Sequence, residues 1–240
     1  TPNTGNTPTA GTEDPDTGSA GTPTIAPPPP VSSVPSPDLK DERSVVAHVK
    51  KTSKLLFLDV AKGIDHLNAL KLASGWEQQK PLKNFVDALD GVTLVLDPEA
   101  PANERKRGKE TLSKIVDEQR KHIIPGRIAA AVDRELTHWN VFVTGLDRLQ
   151  LALSDPRAIE PTKKALAKFP PEYKVTEHVT ALIELGDFVD FSGRWSGSKK
   201  RLIEVAKRRK AIQESLAGTA VGTSMRIEIR AIGSLMFQLL

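Results

Sequence analysis

Cysteine is absent from all 240 residues. That excludes disulfides, thiolate catalysis and any zinc or iron–sulfur site built on thiolates, and leaves the redox compartment open. Aromatic side chains make up only 5% of the chain, so the stacking platforms that hold single-stranded nucleic acids are nearly missing. No run approaches the roughly 18 consecutive apolar residues of a membrane span. The short signatures of common active sites, G-x-S-x-G, H-E-x-x-H and G-x-G-x-x-G, do not occur. An enzyme therefore ranks below a binding protein, although a site assembled in three dimensions needs no local motif.

What is present is unevenly distributed. The first 38 residues hold ten of the eighteen prolines, a dense scatter of Thr, Ser and Gly, and neither an aromatic residue nor a Lys or Arg. Such a segment cannot bury enough apolar surface to offset the entropy of ordering it. Residues 1–37 read as a disordered tether, stiffened into polyproline II at Pro27–Pro30, and 38–240 as one helical domain. Four of the thirty acids lie in the leader, so the rest of the chain sets 34 basic side chains against 26 acidic ones, a net of +8. The chain starts at Thr1 rather than methionine, which reads as a processed form or an excised piece, with any targeting segment ahead of it out of view.

From Asp38 on, apolar residues recur every three or four positions. Val46, Val49, Leu56, Val60, Ile64, Leu67 and Leu70 predict one long helix ending at Ser74-Gly75. A shorter helix follows Pro81 and ends at Asp90-Gly91, and a third, after Pro101, buries Leu112, Ile115, Val116 and Ile123. The most regular stripe is Ile128, Val132, Leu136, Trp139, Val143, Leu146, Leu149 and Leu153, the signature of a long helix in a bundle seam. Short helices from Pro156 and from Val175 follow, then 198–216 and 221–239, divided at Gly218. "GVTLVL", "WNVFV" and "MRIEIRAI" also have strand character, but in the last of these Val221, Met225, Ile229, Ile232 and Met236 keep helical spacing over a longer span. The fold predicted is an all-α bundle of about six to eight helices.

Residues 192–210, "SGRWSGSKKRLIEVAKRRK", concentrate eight basic side chains around a single acid, Glu204. A P-loop is excluded: Gly193 and Gly197 are wrongly spaced, and Ser198 stands where the phosphate-binding lysine belongs. On a helix, Leu202, Val205 and Ala206 gather on one side and the cations on the other. Arg194, Trp195, Lys199, Lys200, Arg201, Lys207 and Arg208 are accordingly the candidate partner- or anion-binding residues. A second basic cluster, "ERKRGK" at 104–109, has no aromatic neighbour, and nucleic acid ranks below a protein partner for both.

Glu135 and His138 have the Glu-x-x-His spacing used by carboxylate-bridged di-metal bundles. Such sites need a second copy of the motif, which the chain lacks, so the pair is a weak metal candidate and reads first as a surface or interface pair. No cofactor is expected. The layout, a Thr/Pro/Ser/Gly leader ahead of a cysteine-free helical domain, matches a bacterial envelope protein, lipoprotein-like, whose domain stands off from its anchor. The first expectation is a non-catalytic binding module outside the cytoplasm that works on a protein partner. Behind it stand a membrane-active or effector protein using basic amphipathic helices on anionic lipid, and a helical metal-dependent enzyme.

Overall fold

A computed structural model describes residues 33–122, 124–192 and 199–238 of the chain. The expected tether lies outside the described residues up to residue 32. Residues 33–37 lead into the helical domain, where Pro37 is buried.

Among the described residues the secondary structure is helical and contains no strand, as expected: α1 (Glu42–Leu58), α2 (Val60–Lys71), α3 (Lys80–Leu96), α4 (Ala102–Lys121), α5 (Arg127–Ala152), α6 (Ile159–Leu166), α7 (Val175–Ser192), α8 (Lys199–Leu216), α9 (Ala220–Ser224) and α10 (Arg226–Gln238). "GVTLVL" and "WNVFV" lie within α3 and α5, and "MRIEIRAI" runs into α10. The ten helices among the described residues exceed the six to eight expected, because two segments that looked continuous are divided.

The first division is at Asp59. The periodicity of 38–74 runs straight through it, yet Asp59 adopts an extended conformation (φ −156°, ψ 98°) and its carboxylate accepts from the Lys62 N–H, starting a new helix. α2 then folds back along α1, so that His48 Nε2 lies 2.8 Å from the carbonyl oxygen of His66. Gly63 makes the reversal feasible, since a Cβ there would stand 2.4 Å from Leu56 Cα. The second division separates α9 from α10 at Met225, after Gly218 (φ +74°) has turned the chain and Thr219 has capped α9.

α3 departs from expectation in the other direction, passing through Asp90-Gly91 to Leu96. Gly91 is not a stop. It is where α4 crosses: a Cβ on Gly108 would sit 2.3 Å from the Gly91 carbonyl oxygen, and one on Gly91 would sit 2.9 Å from that of Gly108. The paired glycines let two backbones meet where side chains would hold them apart.

α5 is the axis of the N-terminal half, packing against α1, α3, α4 and α6, while α7 packs against α6, α8, α9 and α10. The predicted seam holds: Val132, Leu136, Trp139, Val143, Leu146 and Leu149 are buried, with Ile128 and Leu153 partly so. Five of the eleven aromatics gather between α1, α5 and the segment before α7. Phe57 stacks on Trp139 with ring centroids 3.7 Å apart, and the edges of Phe142, Phe169 and Tyr173 close around Phe57 at 5.2–5.5 Å. Edge-to-face geometry of this kind adds to area burial. Among the described residues no helix is long and apolar enough to cross a membrane.

Candidate functional site

Of the basic stretch, Arg194 and Trp195 lie outside the described residues, as do Gly193, Gly197 and Ser198. Lys199, Lys200 and Arg201 occupy the first turn of α8. Lys207 is exposed. Arg208 reaches across to α7, its Nη2 2.5 Å from Glu184 Oε1, and the neighbouring Arg209 donates from Nη1 to the Gly233 carbonyl of α10 at 2.9 Å. Gln213 adds a longer contact to the Ile229 carbonyl at 3.4 Å. These side chains tie α8 to its neighbours. The face is thus partly structural, which single-helix reasoning had no means of finding because each partner comes from another helix.

Glu135 is not a surface residue, contrary to the sequence reading. It is 2% exposed and accepts a hydrogen bond from the Tyr173 hydroxyl. The His138 Nδ1 lies 3.9 Å from the same oxygen, and Ser53, which accepts from Trp139 Nε1 at 3.1 Å, flanks the group. Burial pushes the Glu135 carboxyl toward its neutral form. His138, Tyr173 and Ser53 together outweigh that and hold its pKa below the ordinary value, leaving the group ionised. The Tyr173 phenol, buried and facing a carboxylate, is pushed well above its usual range. This is a polar anchor inside the aromatic cluster. Among the described residues no group of three or more His, Asp or Glu side chains is placed to hold a metal ion.

Elsewhere a cleft of about 510 Å³ lies between the end of α3, α4, α5 and the α9–α10 junction. Its volume falls within the roughly 300–1,000 Å³ typical of ligand pockets. Buried Val95, Leu146 and Met225 form its base, and the exposed Ile227 stands at the rim. α4 contributes Arg105, Lys106 and Lys109 to one wall, and Asp147 of α5 and Glu228 of α10 face them. Polar contacts bridge the walls: Lys109 Nζ to Asp147 at 3.1 Å, and Gln150 Nε2 to Glu228 Oε1 at 2.8 Å. Arg226 fastens the start of α10 to Asp97 and Glu99 beyond α3, at 3.3 and 3.0 Å.

Two groups in this lining are left over. Arg105 Nε is shielded from solvent and has no hydrogen-bond partner among the described residues; the adjacent ion pairs, Lys106–Glu110 and Lys109–Asp147, do not include it. The Glu228 Oε2 atom is likewise shielded and unpartnered. Shielding a polar atom without a partner is costly, and native structures leave few such atoms; here both side chains are half-buried and one atom of each is left over. The "ERKRGK" cluster had marked the α4 wall in the sequence. Asp147, Gln150 and Glu228 carried no signal there, since the fold alone brings them opposite it.

Comparison of this chain with protein-family models, with curated proteins and with solved structures finds no match in any of the three.

Proposed function

We propose that this chain is a non-catalytic helical binding module of the bacterial cell envelope, carried on its N-terminal leader and working through a protein–protein surface. The observation that carries the reading is the cleft between α4, α5 and α10, with an apolar base, walls of both charge signs, and two shielded atoms, Arg105 Nε and Glu228 Oε2, without a hydrogen-bond partner among the described residues. Apolar bases rimmed by polar groups are the usual anatomy of protein interfaces. The envelope placement rests on the composition of residues 1–37, a proline- and threonine-rich spacer without a single cation.

A lipid surface is the weaker fit, because Arg208 and Arg209, central to the basic helix that would meet it, are engaged with Glu184 and the Gly233 carbonyl. Liposome sedimentation tests that reading: binding that requires anionic lipid and vanishes in high salt would favour it.

The direct test places a photo-crosslinking amino acid at Ile227, on the rim of the cleft, and separately at Lys207, on the outside of α8, in the full gene product in its own host. The expected result is one protein adduct through Ile227, recovered in the envelope fraction, and none through Lys207. No adduct at Ile227, or identical adducts at both positions, would contradict the reading.

A further inference from the structure

The cleft has two unpartnered atoms that one ligand can meet together. Arg105 Nε lacks an acceptor, best supplied by a carboxylate, since hydrogen bonds between a guanidinium and a carboxylate are charge-assisted and among the strongest that side chains form. Glu228 Oε2 needs a donor. A phosphate group offers mostly acceptors, with P–OH as its only donor, and its charge would face the negative charges of Glu228 and Asp147. A polypeptide offers both: a carboxylate on a side chain and N–H groups along its main chain, with apolar side chains for Val95, Leu146 and Met225. The α4 wall, with Lys106 and Lys109 next to Arg105, would draw further acids flanking the bound segment.

Resting on the binding reading above, we infer that the cleft takes a short peptide segment of a partner protein in which an acidic residue adjoins an apolar one. Its carboxylate is held by Arg105, a main-chain N–H by the free oxygen of Glu228, and the apolar side chain covers the base of the cleft. Arg105 sets the preference, because Lys106 and Lys109 are already paired with Glu110 and Asp147 while the ion pairs of the cleft do not include Arg105.

The test is a titration of the isotopically labelled chain, followed by amide NMR, with two capped synthetic peptides of equal length. One has the sequence Gly-Glu-Leu-Glu-Phe-Gly, the other Gly-Lys-Leu-Lys-Phe-Gly, and inorganic phosphate is a third probe. Saturable shifts from the acidic peptide at Lys109, Met225 and Ile227 are expected, without a matching response to the basic peptide or to phosphate. Arg105→Gln should weaken the acidic peptide by about tenfold. Lys106→Gln, at an exposed position whose ion pair with Glu110 lies on the surface, should weaken it by about two- to threefold. Absence of cleft shifts, shifts confined to α8, equal response to both peptides, or the same shifts from phosphate would each overturn the inference. A protein adduct at Ile227 alongside any of these would leave the binding reading standing and remove only the acidic-peptide specificity; loss of the adduct would remove the binding reading itself.

Discussion

Tyr173 donates its phenolic hydrogen to Glu135 across 38 residues of sequence, so the loop before α7 is fastened to the middle of α5 by a buried charge-assisted bond. Replacing the donor leaves an ionised carboxylate in an apolar setting. Tyr173→Phe should destabilise the fold by about 1–3 kcal/mol, measured by urea denaturation at neutral pH. The acid limb follows from the lowered Glu135 pKa. The contribution is complete above the ordinary glutamate value of 4.5 and is lost as the pH falls through the lower folded-state value. Glu135→Gln should flatten the loss of stability below that pH, and an unchanged slope would be the contrary result.

Three buried histidines work in a higher pH window. His48, His66 and His178 all have pKa values lowered from 6.5 by burial, with Lys51 adding repulsion at His48 and His66 and Asp65 partly opposing it at His66; at His178, Glu177 pulls up and Lys174 down. The unfolded chain binds protons at these sites more readily than the folded one. Stability is therefore full above pH 6.5 and declines as the pH falls from there through the folded-state values. The His48 and His66 rings, 5.3 Å apart, and the unpartnered His66 Nδ1 make the α1–α2 hairpin the place where charging is felt. Thermal melts between neutrality and mild acid should show a falling Tm, with a shallower decline in His66→Gln.

The crossing of α3 and α4 has no room for a methyl group. Gly108→Ala should cost about 1–3 kcal/mol through forced separation of the two helices, and Gly91→Ala somewhat less, since the added Cβ would meet its nearest atom at 2.9 Å rather than 2.3 Å. Both are read as shifts in the denaturation midpoint. Gly145→Ala is the control. The nearest atom to a Cβ there is a Leu166 side-chain carbon at 3.8 Å, and no loss is expected.

Seam residues should outweigh surface charges. Leu136 and Trp139 are fully buried, and Leu136→Ala or Trp139→Ala should destabilise by about 2–5 kcal/mol. The exposed Lys207 should tolerate alanine within about 0.5 kcal/mol. Equal melting temperatures for all three variants would contradict the packing described for α5.

How far the sequence could be read depended on whether each feature was local. The α5 stripe was legible because every residue of it obeys one helical period and faces one core. The α1–α2 fold-back was not, because the apolar period continues through Asp59 and the reversal is signalled only by a single capping carboxylate and by Gly63. Gly91 read as a stop because a glycine that ends a helix and one that admits a crossing helix look alike until Gly108 is placed opposite. Glu135 appeared to be a surface residue because its partner, Tyr173, lies in a distant segment. For the cleft, only the α4 cations could be found from sequence. Their counterparts Asp147 and Glu228 are isolated acids whose meaning comes from the packing of α5 and α10.

The claim on which the functional account turns is that the partner sits between α4 and α10. Hydrogen exchange of the full chain, with and without the protein captured through Ile227, measures this directly. Added protection over 102–109 and 224–230, with 203–211 unchanged, is the predicted result. Protection on α8 with the cleft amides exchanging as before would contradict it.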